Sequence, residues 1–337
     1  MTMRRLAAAA LFTFALAATS GIAHAQMLLA GEKEANITAI DGVISGDAKW
    51  QLVWASFKTA DGIVGTPDGG LLFAQEQSNS VRKLGPGDKE QIYRSGLMGP
   101  GSVSMDAKGR VFALERTCTD PGLHMPSCEE LPRVVQLAPE RKLLANSFAD
   151  GKSLGRVNDM LADGKGGAYF TSTGLYHVSA DGVVTVVADK DIFTNGLMLS
   201  PNGKTLYVTN RTKIEAFDVK KDGSTSNRRV FATLGGEGQG FGGDGMAIDS
   251  EGRLYVTGDA GIYVFNAKGE QLGIIPCKRR AITVAFSGPD KKTLYVGAMG
   301  AVGPDGKPWA TPEGVRNTAM TIYKIDMLAQ GYKGRPK

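Results

Sequence analysis

The chain has 337 residues, of which 42% are hydrophobic and 7% aromatic, and its formal net charge is +5. This charge is mild, and no basic stripe interleaves with aromatic residues, so the composition argues against a nucleic-acid-binding protein. The 45 Gly and 14 Pro residues indicate many tight turns rather than long helices, and β architectures of this length often form one domain.

The N-terminal region has the order of a secretory signal peptide. Arg4 and Arg5 precede an apolar run over residues 6–18, and Ala23-His24-Ala25 forms a small-residue cleavage site. The sequence therefore predicts a signal peptide over residues 1–25, cleaved after Ala25, and a periplasmic or secreted mature protein. The apolar run is too short for a spanning helix, and because no other stretch is long and apolar enough, no membrane span is predicted.

A repeated pattern follows a strand predicted at residues 51–57. Each copy begins with an anchor residue, has a turn residue eight positions later that is Gly in five copies, and continues into a short apolar strand. The six anchors are Asp61, Gly101, Asn158, Asn195, Asp244 and Thr283. A period near forty residues that is built from short strands and turns is typical of propeller blades.

The repeat predicts an all-β fold, a six-bladed β-propeller of four-stranded blades. The strand at 51–57 precedes the first copy and a strand at 318–325 follows the last one, so each lacks a partner within its own copy. The N-terminal strand is therefore predicted to join the last blade and close the ring without free edges. The predicted boundaries are an irregular lead-in over 26–49, the propeller over 50–327 and a C-terminal tail over 328–337.

Three cysteines remain to be explained: Cys118, Cys128 and Cys277. In an oxidising compartment, Cys118 and Cys128 are predicted to form a disulfide, which leaves Cys277 as a free thiol. The alternative is that all three are small buried residues.

Four of the six anchors carry side-chain oxygens: Asp61, Asn158, Asn195 and Asp244. Because anchors that begin the innermost strands point toward one axis, these four side chains are predicted to hold a divalent cation. Two carboxylates and two amide oxygens favour Ca²⁺, and Zn²⁺, Mg²⁺ or Mn²⁺ are also compatible with the residue types. The alternative for each residue is a turn, since Asp and Asn before Gly are common turn formers.

A cation at this point predicts hydrolysis of a lactone or related ester, because it would polarise the carbonyl group. Asp244 is the predicted catalytic base, and Asp159 is a second candidate. Arg156 is predicted to contact an oxygen-rich substrate or the transition-state oxyanion, with a surface or inter-blade salt bridge as the alternative. Asp159 is also a predicted substrate contact.

These motifs resemble the senescence marker protein/gluconolactonase/luciferin-regenerating enzyme family of six-bladed propellers. The residues that carry the resemblance are Asp61-Gly62, Arg156-Val157-Asn158-Asp159, Asn195-Gly196-Leu197 and Asp244-Gly245-Met246-Ala247. The resemblance extends from about residue 50 to residue 325. One departure is that Asp61-Gly62-Ile63 stands where the family has Glu-Gly-Pro, so this carboxylate is one carbon shorter.

The resemblance implies a central divalent metal held by Asp61, Asn195 and Asp244, with Asn158 as a further ligand or a substrate contact. It also implies that Arg156 contacts the substrate, that Asp244 is the catalytic acid/base, and that the substrate is a lactone such as a sugar lactone. No obligate protein partner is predicted. Two other functions stay open: a non-catalytic periplasmic propeller with a structural metal, and a hydrolase of another activated ester such as a phosphotriester.

Overall fold

The computed structural model describes residues 28–117, 130–235, 242–308 and 319–334, which contain twenty-four strands, β1–β24, and one short 3-10 helix, Glu76–Ser78. Blade one contains β2 (Asp61–Gly65), β3 (Leu71–Gln75), β4 (Ser80–Leu84) and β5 (Glu90–Arg94). Blade two contains β6 (Pro100–Met105), β7 (Val111–Glu115), β8 (Arg133–Ala138) and β9 (Lys142–Ala145). Blade three contains β10 (Met160–Ala162), β11 (Ala168–Thr171), β12 (Leu175–Val178) and β13 (Val184–Ala188). Blade four contains β14 (Thr194–Leu199), β15 (Thr205–Asn210), β16 (Lys213–Val219) and β17 (Thr225–Thr233). Blade five contains β18 (Met246–Ile248), β19 (Leu254–Gly258), β20 (Gly261–Phe265) and β21 (Gln271–Ile275). Blade six contains β22 (Ala281–Ser287), β23 (Thr293–Met299), β24 (Met320–Asp326) and β1 (Gln51–Ser56).

These strands form six four-stranded antiparallel sheets, which confirms the predicted six-bladed propeller. The last sheet has the order β1-β24-β23-β22, so the N-terminal strand closes the ring as predicted. Trp54 of β1 also donates a hydrogen bond from Nε1 to Glu90 Oε2 of blade one, over 2.8 Å, and its ring packs on Phe73. The chain ends of the propeller are therefore joined both by a sheet and by contacts between blades six and one.

The residue eight positions after each anchor lies in a turn with positive φ in all six blades. Glycine adopts this conformation without a Cβ penalty, so the repeat in the sequence reflects a repeated backbone requirement. The sixth blade places Lys291 there at φ 52°, an uncommon conformation for a residue with a side chain. The five glycines are Gly69, Gly109, Gly166, Gly203 and Gly252.

The glycines directly after two anchors, Gly62 and Gly196, meet a steric requirement, and Gly62 has in addition a positive φ of 49°. Asp61 and Asn195 lie within β2 and β14, so the turn alternative is wrong for both of them. A Cβ on Gly196 would overlap the backbone oxygen of Asp244, and a Cβ on Gly62 would overlap Ser102 of the next blade. These two glycines therefore let neighbouring inner strands approach each other near the propeller axis.

The segments outside the ring pack against blades five and six. Ile40, Val43 and Ile44 of the lead-in are buried in one core cluster with residues of both blades. In the C-terminal segment, the backbone N–H of Gly331 donates to Lys291 O over 2.8 Å. Within the residues that the structure describes, no helix is long and apolar enough to cross a membrane.

Only one of the three cysteines can be placed. Cys277 is a free thiol with no exposed surface, and this burial raises its pKa to about 11. The predicted pair of Cys118 and Cys128 lies outside the described residues, so the disulfide stays a prediction.

Candidate active site at the propeller axis

The inner strands of the blades surround a cavity of about 230 Å³ at the face where those strands begin. Its wall is mainly polar and charged, and a few apolar residues complete it. The lining residues are Thr59, Asp61, Glu76, Arg116, Arg156, Asn158, Asn195, Asp244, Arg280, Ile282, Met299 and Met320.

The cavity brings together most of the residues that were predicted from the sequence. The four oxygen-bearing anchors, Asp61, Asn158, Asn195 and Asp244, all line it, and each is half-buried because its side chain meets the open volume. They belong to blades one, three, four and five, so residues far apart in sequence meet at one point. Arg156 lines the same cavity and is exposed.

Asp159 does not belong to this lining. Its carboxylate is buried, and Oδ1 accepts hydrogen bonds from Ser102 Oγ at 2.6 Å and from the backbone N–H of Met160 at 2.8 Å. The structure therefore places it behind the cavity wall, where it links blades two and three.

Buried threonines hold the backbone of three anchor segments. Thr171, Thr209 and Thr257 lie in the second strands of blades three, four and five, with no exposed surface. Thr171 Oγ1 donates to the backbone oxygen of Asn195 at 2.7 Å, so it connects blades three and four at the cavity. Sequence reasoning missed these residues, although each follows its anchor at a nearly constant distance.

Asp244 has a strongly perturbed environment in the cavity. Its pKa is raised well above the ordinary value of 3.8, first by burial and then by the negative charges of Asp61 and Asp159. The guanidinium groups of Arg280 and Arg116 act in the opposite direction without cancelling this effect. Negative charge at Asp244 is therefore undercompensated by the protein itself.

Arg116 was not foreseen, and it enters the cavity just after β7. Its Nη1 donates to Glu76 Oε2 at 3.0 Å, and its Nη2 donates to Asn158 Oδ1 at 2.8 Å. Nη2 also lies 3.9 Å from Asp61 Oδ2. One guanidinium thus connects the walls formed by blades one and three, and no local sequence pattern distinguished it from an ordinary loop residue.

The two amide side chains form a hydrogen-bonded pair. Asn158 Nδ2 donates to Asn195 Oδ1 at 2.7 Å, and Asn158 Oδ1 is the atom that accepts from Arg116. Because an arginine can only donate, it fixes which end of the Asn158 amide faces Asn195. Asn195 consequently turns its oxygen toward this part of the site.

Three consecutive basic residues, Lys278, Arg279 and Arg280, lie in different surroundings, and Lys278 Nζ is 3.6 Å from Glu32 Oε2. Arg280 lines the cavity, and its Nε lies 3.3 Å from Asp259 Oδ1. Arg279 instead donates to the hydroxyl of Tyr323 at 3.0 Å and to Ala30 O at 2.8 Å. Only one member of the run therefore contributes charge to the candidate site.

The donor set fits a hard divalent cation by its chemistry. Asp61 and Asp244 offer carboxylate oxygens and Asn195 offers an amide oxygen, while the raised pKa of Asp244 indicates an unmet demand for positive charge. In the parts of the chain that the structure describes, no three His, Cys, Asp or Glu side chains group closely enough to hold a metal. A cation here would therefore depend on amide oxygens as well as carboxylates.

Comparisons with known proteins agree with this architecture. A gluconolactonase of Zymomonas mobilis is 25% identical over 300 residues, covering 77% of this chain and 81% of that protein. Pentonolactonase XacC of Haloferax volcanii is 30% identical over 189 residues, covering 52% and 64% of the two chains. The solved structure of a calcium-binding regucalcin from Agrobacterium tumefaciens shares the fold, with a TM-score of 0.58 at 16% identity over 83% of this chain and 95% of that chain.

The family profile decides the relationship. The profile described as the SMP-30/Gluconolactonase/LRE-like region matches residues 53–300, which covers β2–β23 and every residue assigned above to the cavity except Met320. The chain therefore belongs to the SMP-30/gluconolactonase/LRE-like family.

Proposed function

We propose that this protein is an exported, cation-dependent hydrolase of small lactones, with sugar lactones as the first class to test. The observation that carries the proposal is the convergence of Asp61, Asn195 and Asp244 on one cavity of about 230 Å³. This volume suits a small molecule rather than a polymer. Relatives named gluconolactonase and pentonolactonase support the substrate class.

Asp61, Asn195 and Asp244 would hold the cation, and Ca²⁺ is the favoured ion because all the donor atoms are oxygens. When bound, the cation would supply Lewis acidity toward the lactone carbonyl and stabilise the negative charge that develops there. Asn158 is not proposed as a cation ligand here, because its amide oxygen already accepts a hydrogen bond from Arg116. Its amide nitrogen donates to Asn195, so Asn158 orients that ligand.

Asp244 is the proposed acid/base, because its carboxylate lines the cavity in which a lactone and a water molecule would meet. It takes a proton from water while the water oxygen bonds to the lactone carbonyl carbon. The ring C–O bond then breaks, and Asp244 returns the proton to the leaving alkoxide oxygen. One water is consumed, one hydroxy acid is formed, and the carboxylate is regenerated. Arg156, which is exposed on the cavity wall, is proposed to bind substrate oxygens.

The test compares wild type with Asp244→Asn on five- and six-membered sugar lactones, simple lactones, aryl esters and a phosphotriester. We expect kcat on a lactone to fall about 100-fold or more, because the variant lacks the proton-transfer group. Rates are measured against spontaneous hydrolysis, and the Ca²⁺ content and unfolding curve of both proteins serve as controls.

The two remaining functions give different results in the same experiment. A wild-type protein that binds Ca²⁺ but turns over none of these compounds is a non-catalytic propeller with a structural cation. If only the phosphotriester is hydrolysed, the substrates are phosphotriesters and not lactones, while the fold and the site stay as described. Equal lactone turnover by wild type and Asp244→Asn contradicts the proposed role of Asp244.

A further inference from the structure

The position of Arg116 is unusual because a guanidinium group already lies beside the residues proposed to hold a cation. Its Nη2 is 2.8 Å from Asn158 Oδ1 and 3.9 Å from Asp61 Oδ2, and Nη1 is 3.0 Å from Glu76 Oε2. Glu76 is only 1% exposed. The positive charge therefore lies between an acidic residue at the cavity and an acidic residue buried in its wall.

The side chain of Arg116 lies in a fitted slot and is not a mobile surface group. Only 9% of the side chain is exposed, and Nε donates to Val157 O at 3.1 Å. A Cβ on Gly101 would overlap the guanidinium, so the absence of a side chain at that position makes room for Arg116. The backbone of its own blade, at Gly101, and that of blade three, at Val157, thus hold this cation in place.

We propose that Arg116 is a built-in cation of the site, which neutralises the acidic wall without metal and weakens the binding of a divalent cation to Asp61, Asn195 and Asp244. This inference rests on the proposed cation site but not on lactone hydrolysis. Like charges a few ångström apart in a partly buried site repel strongly, so a divalent ion binds against the charge of Arg116.

Arg116 also orients the amides of Asn158 and Asn195, and this orientation favours cation binding by presenting an oxygen. The two effects of Arg116 therefore oppose each other. A single hydrogen bond contributes less than a charge interaction at this separation in a partly buried site. Removal of the charge is consequently expected to strengthen cation binding overall.

The test is calorimetric titration of the metal-free protein with Ca²⁺. Arg116→Gln and Arg116→Met remove the charge, and we expect each to lower the Kd for Ca²⁺ about tenfold or more. Arg116→Lys keeps the charge, so its Kd is expected to stay within about threefold of wild type. Arg229→Gln is the matched control, because it removes one positive charge from an exposed position in β17, remote from the lining residues.

Removing the partner of a buried carboxylate destabilises proteins, so folding needs its own measurement. If Arg116→Met does not fold, Arg116→Gln still tests the inference, because its amide can donate a hydrogen bond to Glu76. The Ca²⁺-induced rise in Tm is expected to be larger in Arg116→Gln than in wild type. Equal or weaker Ca²⁺ binding in the Gln and Met variants overturns the inference, as does an equal gain in Arg229→Gln or no binding by any of these proteins. None of these outcomes depends on whether a lactone is hydrolysed.

Discussion

Asp244 combines a cost in stability with the proposed chemistry. Burial and the nearby charges of Asp61 and Asp159 raise its pKa well above the ordinary value, so the folded protein disfavours the ionised carboxylate. A group in this condition destabilises the fold at neutral pH unless a cation compensates it. Residues selected for function commonly carry such a cost.

We therefore predict that Asp244→Asn is more stable than wild type when both proteins are metal-free. Asparagine has nearly the same shape and no charge, so the unfolding free energy at pH 7 should rise by about 1 kcal/mol. Urea unfolding with excess chelator measures it. With saturating Ca²⁺ the difference should shrink or reverse, since wild type then gains binding energy. A less stable variant under chelation would contradict this account of Asp244.

The sequence allowed some residues of the cavity to be predicted but not others. Asp61, Asn195 and Asp244 stand at one register position of a repeat, so the topology alone brings them to one axis. Arg116 and Glu76 follow the second strands of their blades, where no repeated pattern marks them. Whether such a side chain enters the cavity depends on contacts between residues distant in sequence, such as the space that Gly101 leaves for Arg116 and the hydrogen bond from Arg116 to Asn158.

At the level of elements, the glycines after the anchors set the spacing between inner strands. Gly196 of β14 lies against the backbone of Asp244 in the next blade, and its backbone has no positive φ that would demand glycine for conformational reasons. The requirement there is purely steric. The close contact between Gly196 and Asp244 also keeps two proposed cation ligands, Asn195 and Asp244, at a fixed separation.

We therefore predict that Gly196→Ala lowers the unfolding free energy by about 2–3 kcal/mol, because the added Cβ overlaps a backbone oxygen. Gly85→Ala is the matched control, since its Cβ would lie 3.8 Å from Lys89 O, an ordinary contact. The control should change stability by less than about 0.5 kcal/mol. Similar unfolding midpoints and slopes for both variants would contradict this prediction, because the inner strands would then accommodate the added Cβ at little cost in stability.

Blade three carries a buried pair that makes its stability depend on pH. His177 Nε2 lies 2.9 Å from Asp163 Oδ2, and Asp163 Oδ1 accepts from the backbone N–H groups of Lys165 and Gly167. Burial raises the pKa of Asp163, but the hydrogen bonds from His177 and from the backbone outweigh it, so the pKa lies below 3.8. The folded state therefore favours the ionised form.

A depressed folded pKa means that this contribution is fully present above the unfolded value and is lost as pH falls through the folded value. Asp163→Asn should consequently be about 1 kcal/mol less stable than wild type at pH 7 and pH 5. The difference should decline below about pH 4. Denaturant unfolding at pH 7, 5 and 3 tests this, and a constant difference at all three values would contradict it.

On the scale of the whole molecule, the sequence predicted the topology because each blade repeats the same backbone demands. The turn position with positive φ recurs in six blades, and even Lys291 keeps it without being a glycine. The strand predicted at 51–57 ends one residue earlier in β1, and the strand predicted at 318–325 is β24, Met320–Asp326. Strand ends are set by contacts between blades, which local patterns do not contain.

Ring closure joins this topology to the proposed function. β1 completes the last blade, and Trp54 ties that blade to blade one through Glu90 and Phe73. A closed ring fixes the distances between Asp61, Asn195 and Asp244, although these residues lie in three different blades. The fold thereby provides a preorganised set of oxygen donors instead of one assembled by a flexible loop.

The central claim is that a divalent cation at the propeller axis supports hydrolysis of a lactone. The most direct measurement is the rate of sugar-lactone hydrolysis by the purified protein before chelation, after chelation, and after Ca²⁺ is restored. We expect the rate to fall about 100-fold or more on chelation and to recover with stoichiometric Ca²⁺. Full lactone turnover by a protein shown to contain no metal would contradict it.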